Sequence, residues 1–480
     1  MYELFAHQKE AIDFAVSRNG SAMIAHEPGL GKTRSAMNIF FRMKCKTPAL
    51  KLLVVCPLSL IEAAWRADLV KFFGEDAGRR FVNCHKDGFV LTGENTVWDA
   101  DILAINYEFF QREENIVLLM RIFKGLDVMA VLDESSKIKN YKALTTKNLL
   151  AIRNIFKHRV AMSGTPAPNS EEEYWAQMEF ICPNLLGKSF PKFKRTYFYL
   201  RGRGGVALQS EGLSRAAMAE LFRRQGAEWC ITAEKRAELF KVIGPWIHAA
   251  KKDECLDLPE QIDEMRLVQM GPKQKVAYKQ MKNLLVAQIN GEDVVAQVAL
   301  TKILKLREIT SGFAFSEDGN IVETECPKIN ELSEILDELG DRQAIIWGQF
   351  HWEIERICKL LEERNQTYAT LYSQTKDRED SIQGFIEGRY RYFVAHPRSG
   401  GHGLTLTNCS HQIFYSIDYS SEMMIQSKAR THRATQKNTC VYYYILAEGT
   451  IDEEIYKVIN NKISIQDLVY QIFKNEPKKI

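Results

Sequence analysis

The apolar positions of residues 1–184 fall into short uninterrupted runs, which alternate with longer stretches of helical periodicity. Strands of a parallel sheet with helices on both faces read as continuous apolar runs, whereas a half-exposed strand alternates apolar and polar residues. The pattern therefore predicts an α/β fold with a buried parallel sheet. The predicted strands are SAMIA (21–25), LLVVCPL (52–58), DILAIN (101–106), VMAVLDE (128–134) and RVAMSGT (159–165).

The pattern changes twice further along the chain. Residues 185–322 show helical periodicity with many Lys and Arg, interrupted by the glycine-rich basic segment RGRGGVALQS (201–210). Apolar runs then return, which predicts a second α/β lobe with strands at QAIIWGQF (343–350), TYATLYS (367–373), RYFVAH (391–396), HQIFYSID (411–418) and CVYYYIL (440–446). We therefore expect a first lobe over 1–184, a mostly helical insertion over 185–322, a second lobe over 323–470 and a tail over 471–480.

The composition is that of an ordinary globular protein with more than one domain. A chain of 480 residues exceeds what one hydrophobic core serves, and its 45% hydrophobic and 26% charged residues are in the usual range. We expect no signal peptide, because the start MYEL lacks a basic n-region and an apolar h-region, and no membrane segment, because no apolar stretch reaches about 18 residues. The ten scattered cysteines contain no CxxC pair, which predicts reduced thiols and no zinc site. The net charge of +3 does not by itself indicate a polyanionic partner.

A candidate phosphate-binding turn follows the first apolar run. The segment HEPGLGKT (26–33) ends in Gly31, Lys32 and Thr33, just before a stretch of helical periodicity. Such a turn offers backbone amides, an ammonium for the β- and γ-phosphate oxygens and a hydroxyl for magnesium. His26 stands where the common spacing has a glycine, so an ordinary strand–turn–helix stays open as the alternative.

Two further predicted strands end in polar residues. Asp133 and Glu134 end the run at 128–134, and a Ser-Gly-Thr sequence ends the run at 159–165. The carboxyl ends of parallel strands meet at one edge of a sheet, so these residues should lie near the glycine-lysine turn. There Asp133 could hold Mg²⁺ and Glu134 could polarise the attacking water. Alternatively, the two acids only begin a helix, where they suit its dipole.

The second lobe carries a candidate for stabilising charge at the γ-phosphate. The segment QSKARTHRATQ (426–436) fits the pattern QxxxRxxR with Gln426, Arg430 and Arg433. We expect these arginines to share one face of a helix. An arginine delivered to the phosphate would couple hydrolysis to closure of the two lobes. A solvent-exposed basic helix is the alternative for this segment alone.

In these motifs the chain resembles the Snf-type ATPases of helicase superfamily two over nearly its whole length. The ending IKN after the acidic pair is the most family-specific feature of the first lobe. The matching segments are LFAHQKEAIDFA (4–15), HEPGLGKT (26–33), VVCPLSLIEAAWRADLVKF (54–72), INYEFF (105–110), LDESSKIKN (132–140), MSGTPAPNS (162–170), LREITSGF (306–313), AIIWGQFHWEIERI (344–357), SGGHGLTLTNCSHQIFY (399–415), QSKARTHRATQKNTCVYYYI (426–445) and EGTIDEEI (448–455).

The resemblance implies two RecA-like lobes, with ATP and Mg²⁺ as cofactors and DNA as the partner. The residues it implies for catalysis are Lys32, Asp133, Glu134, Arg430 and Arg433. Those it implies for nucleotide binding are Gln8, Gly29, Gly31, Lys32, Thr33 and Gln426, with Thr33 and Asp133 at the metal. Those it implies for contacts with the DNA backbone are Ser59, Asn106, Gly403 and Thr405.

The function we expect is ATP-driven movement along double-stranded DNA without obligatory strand separation, by a monomer in the cytoplasm of a bacterial or phage-infected cell. Two alternatives stay open. The first is a strand-separating or annealing helicase that acts on forked or single-stranded DNA, with KFKRTYFYLRGRGG (192–205) as its wedge. The second is the motor subunit of a larger restriction or repair assembly, which would have protein partners.

Overall fold

The computed structural model describes residues 3–86, 100–202, 207–208, 227–291, 296–315, 321–400 and 404–461. The chain divides into two compact units, Met1–Asp257 and Leu258–Ile480. A large parallel sheet forms the centre of each unit. The predicted fold class, two parallel-sheet lobes with helices, is therefore confirmed. None of the described helices has the length and hydropathy that a membrane span requires.

The first unit contains a seven-stranded parallel sheet and a small antiparallel sheet. Its strands are β1 (Ala22–His26), β2 (Lys51–Val55), β3 (Phe81–Asn83), β4 (Ile102–Ile105), β5 (Val128–Asp133), β6 (His158–Met162), β7 (Tyr199–Arg201), β8 (Ala207–Leu208), β9 (Glu228–Cys230) and β10 (Ile247–Ala250). The large sheet has the order β10-β1-β6-β5-β2-β4-β3, and the small sheet has the order β8-β7-β9.

Helices cover both faces of the large sheet in the first unit. The α-helices are Ala6–Ser17, Lys32–Lys46, Leu58–Leu60, Ala67–Phe73, Glu75–Arg79, Glu113–Ile122, Leu144–Ile152, Tyr174–Ile181, Phe190–Tyr197, Ala233–Ile243 and Lys252–Cys255. A π-helix spans Ile61–Arg66, and short 3₁₀ helices span Tyr107–Gln111, Ser135–Ile138, Arg153–Ile155, Glu171–Glu173 and Gly244–Trp246.

The continuous apolar runs are explained by a separate core on each face of this sheet. In β5, Met129 and Val131 belong to one core, whereas Ala130 and Leu132 belong to the other. Successive side chains of a strand point to opposite faces, so a strand with a core on each side is apolar at every position. All five strands predicted in this unit are present.

The second unit repeats this architecture with a six-stranded parallel sheet. Its strands are β11 (Gln261–Val268), β12 (Phe313–Phe315), β13 (Ile321–Glu323), β14 (Ala344–Trp347), β15 (Tyr368–Leu371), β16 (Tyr392–Ala395), β17 (His411–Phe414) and β18 (Cys440–Ala447). The sheet order is β11-β18-β17-β14-β16-β15, while β12 and β13 form an antiparallel pair. The helices are Pro272–Gly291, Ala296–Thr310, Pro327–Glu338, His351–Glu363, Arg378–Ile386, Pro397–Gly400, Ser421–Lys428 and Ile451–Asn461.

Residues 185–322, which we expected to form one mostly helical insertion, are divided between the two units at Asp257. They also supply an edge strand to each large sheet, since β10 pairs with β1 and β11 pairs with β18. These strands were not predicted. Strand β11 reads QIDEMRLV, with most of its residues exposed or half-buried, so it lacks a continuous apolar run. Within the segment 201–210, only residues 201–202 and 207–208 are described.

Candidate active site

Three polar strand ends of the first unit lie side by side. Strands β1, β6 and β5 are neighbours in the sheet, so their carboxyl ends share one edge. The backbone N–H of Ser163 donates to the carbonyl of Ile24 at 3.3 Å, which joins two of these ends. A Cβ on Gly164 would come within 2.6 Å of the Pro28 ring, so the loop after β6 packs closely on the glycine-lysine turn. The predicted convergence is confirmed.

The glycine-lysine turn forms the N-terminus of the helix Lys32–Lys46. Gly29 and Gly31 both have positive φ values, of +99° and +73°, which glycine adopts without strain. A Cβ on Gly31 would also overlap Nε2 of Gln8. The Lys32 side chain is buried, and its Nζ donates to the His26 carbonyl at 2.8 Å. Thr33 follows as the second helical residue and is partly exposed.

The Gln8 carboxamide forms a hydrogen bond with the backbone of this turn. Gln8 is only 2% exposed. Its Nε2 donates to the Leu30 carbonyl at 3.2 Å, and its Oε1 accepts from the Phe5 backbone N–H at 3.2 Å. Nε2 of His7 lies 3.0 Å from the same carbonyl. Both polar atoms of Gln8 therefore contact backbone, and the nucleotide contact expected for Gln8 stays a prediction.

His26, at the position where the common spacing has a glycine, belongs to β1 and not to the turn. It is fully buried, and its Nε2 lies 2.8 Å from Nδ1 of His248 in β10. Burial, together with the nearby His248, Lys32 and His7, lowers the pKa of His26 to about 3. The imidazole is therefore neutral at physiological pH. The spacing rule did not anticipate this partner, which lies 222 residues away in the chain.

Asp133 ends β5 and carries a buried carboxylate. Its Oδ2 accepts from the Trp65 indole at 2.9 Å, and its carbonyl accepts from the Tyr107 hydroxyl at 2.9 Å. Burial raises the pKa of Asp133, while the Lys32 ammonium and the Trp65 hydrogen bond oppose that rise. Lys32 and Asp133 therefore act on each other electrostatically. Trp65, in a π-helical turn of a kind frequent at functional sites, gave no signal in the sequence beyond its place in a matching segment.

Glu134 has a left-handed backbone conformation with φ of +57°. Such a conformation is uncommon for a residue other than glycine and is found at functional turns. It separates β5 from the 3₁₀ helix Ser135–Ile138, so the acidic pair does not begin a regular α-helix. The hydroxyl of Ser135 donates to Gln177 Oε1 at 2.7 Å, and Gln177 Nε2 donates to the Pro166 carbonyl at 2.6 Å. Gln177 thus joins the turn after β5 to the loop after β6.

The two predicted DNA contacts of the first unit have different surroundings. Ser59 is exposed, within the short helix Leu58–Leu60. Asn106 is buried, and its Oδ1 accepts from the Phe109 backbone N–H at 3.1 Å as the cap of the 3₁₀ helix Tyr107–Gln111. A DNA contact remains a prediction for both, and only Ser59 presents an exposed side chain.

The two arginines of the second unit lie on a turn, so the prediction that they share a helix face is wrong. The helix Ser421–Lys428 ends before both of them. The side chain of Arg430 is 3% exposed, and it donates through Nε to the Gln426 carbonyl at 2.8 Å and through Nη1 to the Leu404 carbonyl at 3.1 Å. Gln426 itself is 2% exposed. Arg430 is therefore held inside the second unit.

Arg433 is more accessible than Arg430. Its Nε donates to the Ala429 carbonyl at 2.8 Å, and its Nη1 donates to Thr405 Oγ1 at 2.6 Å. The side chain of Arg433 is half-buried, while Thr405 is exposed. Both arginines therefore donate hydrogen bonds to residues 404–405, but they do so from a turn and not from a helix. Gly403, a predicted DNA contact, lies outside the described residues.

Two family models match the chain. A model for the SNF2-related domain matches residues 7–312, and a model for the helicase conserved C-terminal domain matches residues 327–435. The chain belongs to the SNF2-related family.

Curated relatives match over almost the whole chain. Human DNA repair and recombination protein RAD54B is 24% identical, with 95% of this chain and 54% of that protein covered. A Caenorhabditis elegans homologue of the SWI/SNF-related matrix-associated actin-dependent regulator of chromatin subfamily A-like protein 1 is 25% identical, with 96% and 61% covered. Protein p41 of Acyrthosiphon pisum secondary endosymbiont phage 1 is 23% identical, with 93% and 94% covered. The chain spans 54% of the length of RAD54B.

A solved structure also resembles the chain. The Sulfolobus solfataricus SWI2/SNF2 ATPase core in complex with dsDNA has 23% sequence identity and a TM-score of 0.43. The comparison covers 99% of this chain and 94% of that one.

Proposed function

We propose that the chain hydrolyses ATP in its first unit and uses the energy to move along double-stranded DNA. The observation that carries this proposal is the shared sheet edge, where a helix N-terminus with Lys32 meets the buried carboxylate of Asp133. A helix N-terminus with an adjacent ammonium suits a triphosphate. The relatives named for DNA repair and recombination support DNA as the partner.

The donor set at this edge fits Mg²⁺. Magnesium prefers hard oxygen ligands and is commonly held by one or two protein groups together with substrate phosphates. The Thr33 hydroxyl and the Asp133 carboxylate are such groups. No cluster of three or more metal-ligating side chains occurs in the described parts of the chain, so the nucleotide would complete the coordination. Held by Thr33 and Asp133, Mg²⁺ would supply positive charge against the phosphates of the nucleotide.

Each predicted catalytic residue other than Asp133 then has one role in hydrolysis. Lys32 neutralises the β- and γ-phosphates, and Glu134 orients and deprotonates the attacking water. Arg433 stabilises charge on the transferred phosphoryl group, while the buried Arg430 fixes the turn that carries it. Arginine supplied in this way is worth about 10³- to 10⁵-fold in turnover in related chemistry.

We propose that DNA is bound through its backbone near Ser59, Asn106, Gly403 and Thr405. Contacts to phosphates carry no sequence information and make affinity fall steeply with salt. Binding should therefore be salt-dependent and nearly independent of sequence. The monomeric state, a protein partner and a cytoplasmic location stay predictions.

The described part of the expected wedge does not favour strand separation. Three of its four aromatic residues, Phe193, Tyr197 and Phe198, are buried in the core of the first unit, and the fourth, Tyr199, is half-buried. A wedge needs exposed apolar or aromatic side chains that can intercalate between bases. We therefore place movement along the duplex ahead of the helicase alternative.

The test is steady-state ATP hydrolysis by the purified protein without nucleic acid and with duplex DNA, single-stranded DNA or RNA. Glu134→Gln is the matched control, because it keeps the size of the side chain and removes the base. We expect strong stimulation by duplex DNA that is absent in the variant. A preference for single strands or forks would support the helicase alternative. No hydrolysis under any condition would contradict the proposal.

A further inference from the structure

A glutamine lies fully buried in a central strand of the sheet of the second unit. Strand β17 is flanked by β18 and β14, and all four of its residues are buried. Gln412 in this strand has no exposed surface, while its neighbours Ile413 and Phe414 belong to the cores on opposite faces. Burying a carboxamide is costly unless hydrogen bonds satisfy it. The partners of Gln412 therefore indicate what this residue does.

The carboxamide of Gln412 is satisfied on both sides. Its Nε2 donates to Thr431 Oγ1 at 2.7 Å, and it also lies 3.1 Å from the Ser427 carbonyl and 3.3 Å from the Lys428 carbonyl. Its Oε1 accepts from the Trp347 indole N–H in β14 at 2.8 Å. One side chain thus joins two strands of the sheet to the segment that follows the helix Ser421–Lys428.

The acceptors of Gln412 lie on both sides of Arg430. Ser427 and Lys428 are the last residues of the helix, and Thr431 comes directly after Arg430. The carbonyls of Ser427 and Lys428 also accept from backbone N–H groups of the turn, at 3.0 and 3.3 Å, so Gln412 adds a side-chain bond from the sheet to a helix end that backbone bonds close. The Thr431 hydroxyl adds to this closure by donating to the Lys428 carbonyl at 3.4 Å. Gln412 therefore ties the segment that carries Arg430 to β17.

The other side of the same turn is fixed by residues 404–406. The backbone N–H of Leu406 donates to the Arg430 carbonyl at 3.0 Å, and the Arg430 side chain reaches the Leu404 carbonyl. The turn is therefore held between this segment and Gln412. Without the Gln412 carboxamide, the turn would lose these hydrogen bonds to β17.

We propose that Gln412 is a positioning residue for ATP hydrolysis, which anchors the arginine turn to the central sheet of the second unit. The inference rests on the proposed function, because it assumes that Arg433 acts on the phosphoryl group. Displacement of a catalytic group by about 1 Å can cost about 10²-fold in rate. Gln412 touches neither nucleotide nor DNA in this scheme, and it acts only through the turn.

Gln412→Leu tests this role with nearly constant side-chain volume. Trp347→Phe is the matched control, because it removes a hydrogen bond from the same buried carboxamide and leaves the bonds to the turn in place. For both variants we would measure duplex-stimulated kcat, KM for ATP and Tm. At a temperature below the Tm of Gln412→Leu, we expect its kcat to be lower than that of the wild type by about tenfold or more. We expect its KM for ATP to stay within about twofold of the wild-type value. For Trp347→Phe we expect a lowered Tm with kcat close to that of the wild type.

Equal loss of kcat in the two variants, or a lowered Tm with unchanged kcat in Gln412→Leu, would overturn the inference. Combining Gln412→Leu with Arg433→Ala should lower kcat no further than Arg433→Ala alone, since both act through one group. If Gln412→Leu does not fold, Thr431→Val removes the acceptor hydroxyl with little change in volume, and the same split between kcat and KM is expected. An unchanged kcat there would contradict the inference.

The failure of this inference is distinguishable from failure of the proposed function. An active wild type, an inactive Arg433→Ala variant and a fully active Gln412→Leu variant would contradict only the role of Gln412. A wild type that hydrolyses no ATP, or an Arg433→Ala variant with normal turnover, would contradict the proposed function and this inference together.

Discussion

The two units hold their candidate catalytic groups in different ways. In the first unit, Lys32 comes after β1 and Asp133 ends β5, and these strands flank β6 in one sheet, so the order of strands brings the two residues to the same edge. In the second unit, Arg430 and Arg433 lie on a turn after a helix, and that turn depends on hydrogen bonds from β17 and from residues 404–406. Groups on strand ends are placed by topology, whereas groups on a turn need a dedicated set of polar contacts.

The largest expected effect is a loss of kcat on removal of either Lys32 or Arg433, and ATP affinity should distinguish the two variants. Lys32→Ala and Arg433→Ala should each lower kcat by about 10³-fold, because both remove positive charge from the phosphoryl group. Only Lys32→Ala should also weaken ATP binding, by about 10- to 100-fold, since it removes a charge-assisted contact of the bound nucleotide. Fluorescent-nucleotide titration and steady-state turnover on the same samples provide the measurement.

DNA affinity is the control for that comparison. Lys32→Ala should bind duplex DNA as the wild type does, because Lys32 is not among the proposed DNA contacts, whereas Arg433→Ala also removes a hydrogen bond to the proposed DNA contact Thr405. Loss of DNA binding together with turnover in Lys32→Ala would indicate misfolding or one shared site. Weakened ATP binding in Arg433→Ala equal to that in Lys32→Ala would remove the distinction between the units.

A smaller effect should distinguish the two arginines within the second unit. Arg430→Ala leaves buried carbonyls of Gln426 and Leu404 without their donor, so the free energy of unfolding should fall by about 3–5 kcal/mol. Arg433→Ala removes a half-buried side chain and should cost about 1 kcal/mol or less. Urea unfolding of the two variants is the measurement, and equal destabilisation would show that both arginines are structural.

The smallest effect concerns the first unit alone and depends on pH. His26 has its pKa lowered to about 3 by burial, whereas an unfolded histidine titrates near 6.5. Below about pH 6.5 the unfolded chain binds a proton that the native His26 does not, so stability falls as pH falls. Between pH 7.5 and 5.5 this loss is about 1.4 kcal/mol for one histidine.

His26→Gln should remove that part of the pH dependence of the free energy of unfolding. His351→Gln is the control, because His351 is exposed. The measurement is urea unfolding at the two pH values for the wild type and both variants. The same loss of stability in His26→Gln as in the wild type would show that another group binds the proton.

The strands, and the sheet edge at which their polar ends meet, could be predicted from the sequence. Every predicted strand run contains a strand, and the ends carrying Lys32, Asp133 and Ser163 meet at one edge. These features follow from apolar runs and from the geometry of parallel sheets. The edge strands β10 and β11 were missed because an edge strand is partly exposed and lacks a continuous apolar run.

Features that depend on distant side chains could not be predicted. The attachment of the turn at Arg430 to the sheet depends on Gln412, and the neutral state of His26 depends on its burial beside His248. Asn106 is an expected DNA contact that caps a 3₁₀ helix, and Trp65 contacts Asp133 from 68 residues away. Each is a single polar residue whose partner is set by packing. Periodicity reports which face is buried but not which polar atoms meet there.

The central claim is that ATP bound in the first unit drives movement along duplex DNA, and triplex displacement tests it most directly. The measurement is ATP-dependent release of a third strand from a duplex that keeps its own strands paired. We expect release by the wild type and none by Glu134→Gln, at matched DNA binding. Stimulated ATP hydrolysis by the wild type without release of the third strand would contradict movement along the duplex.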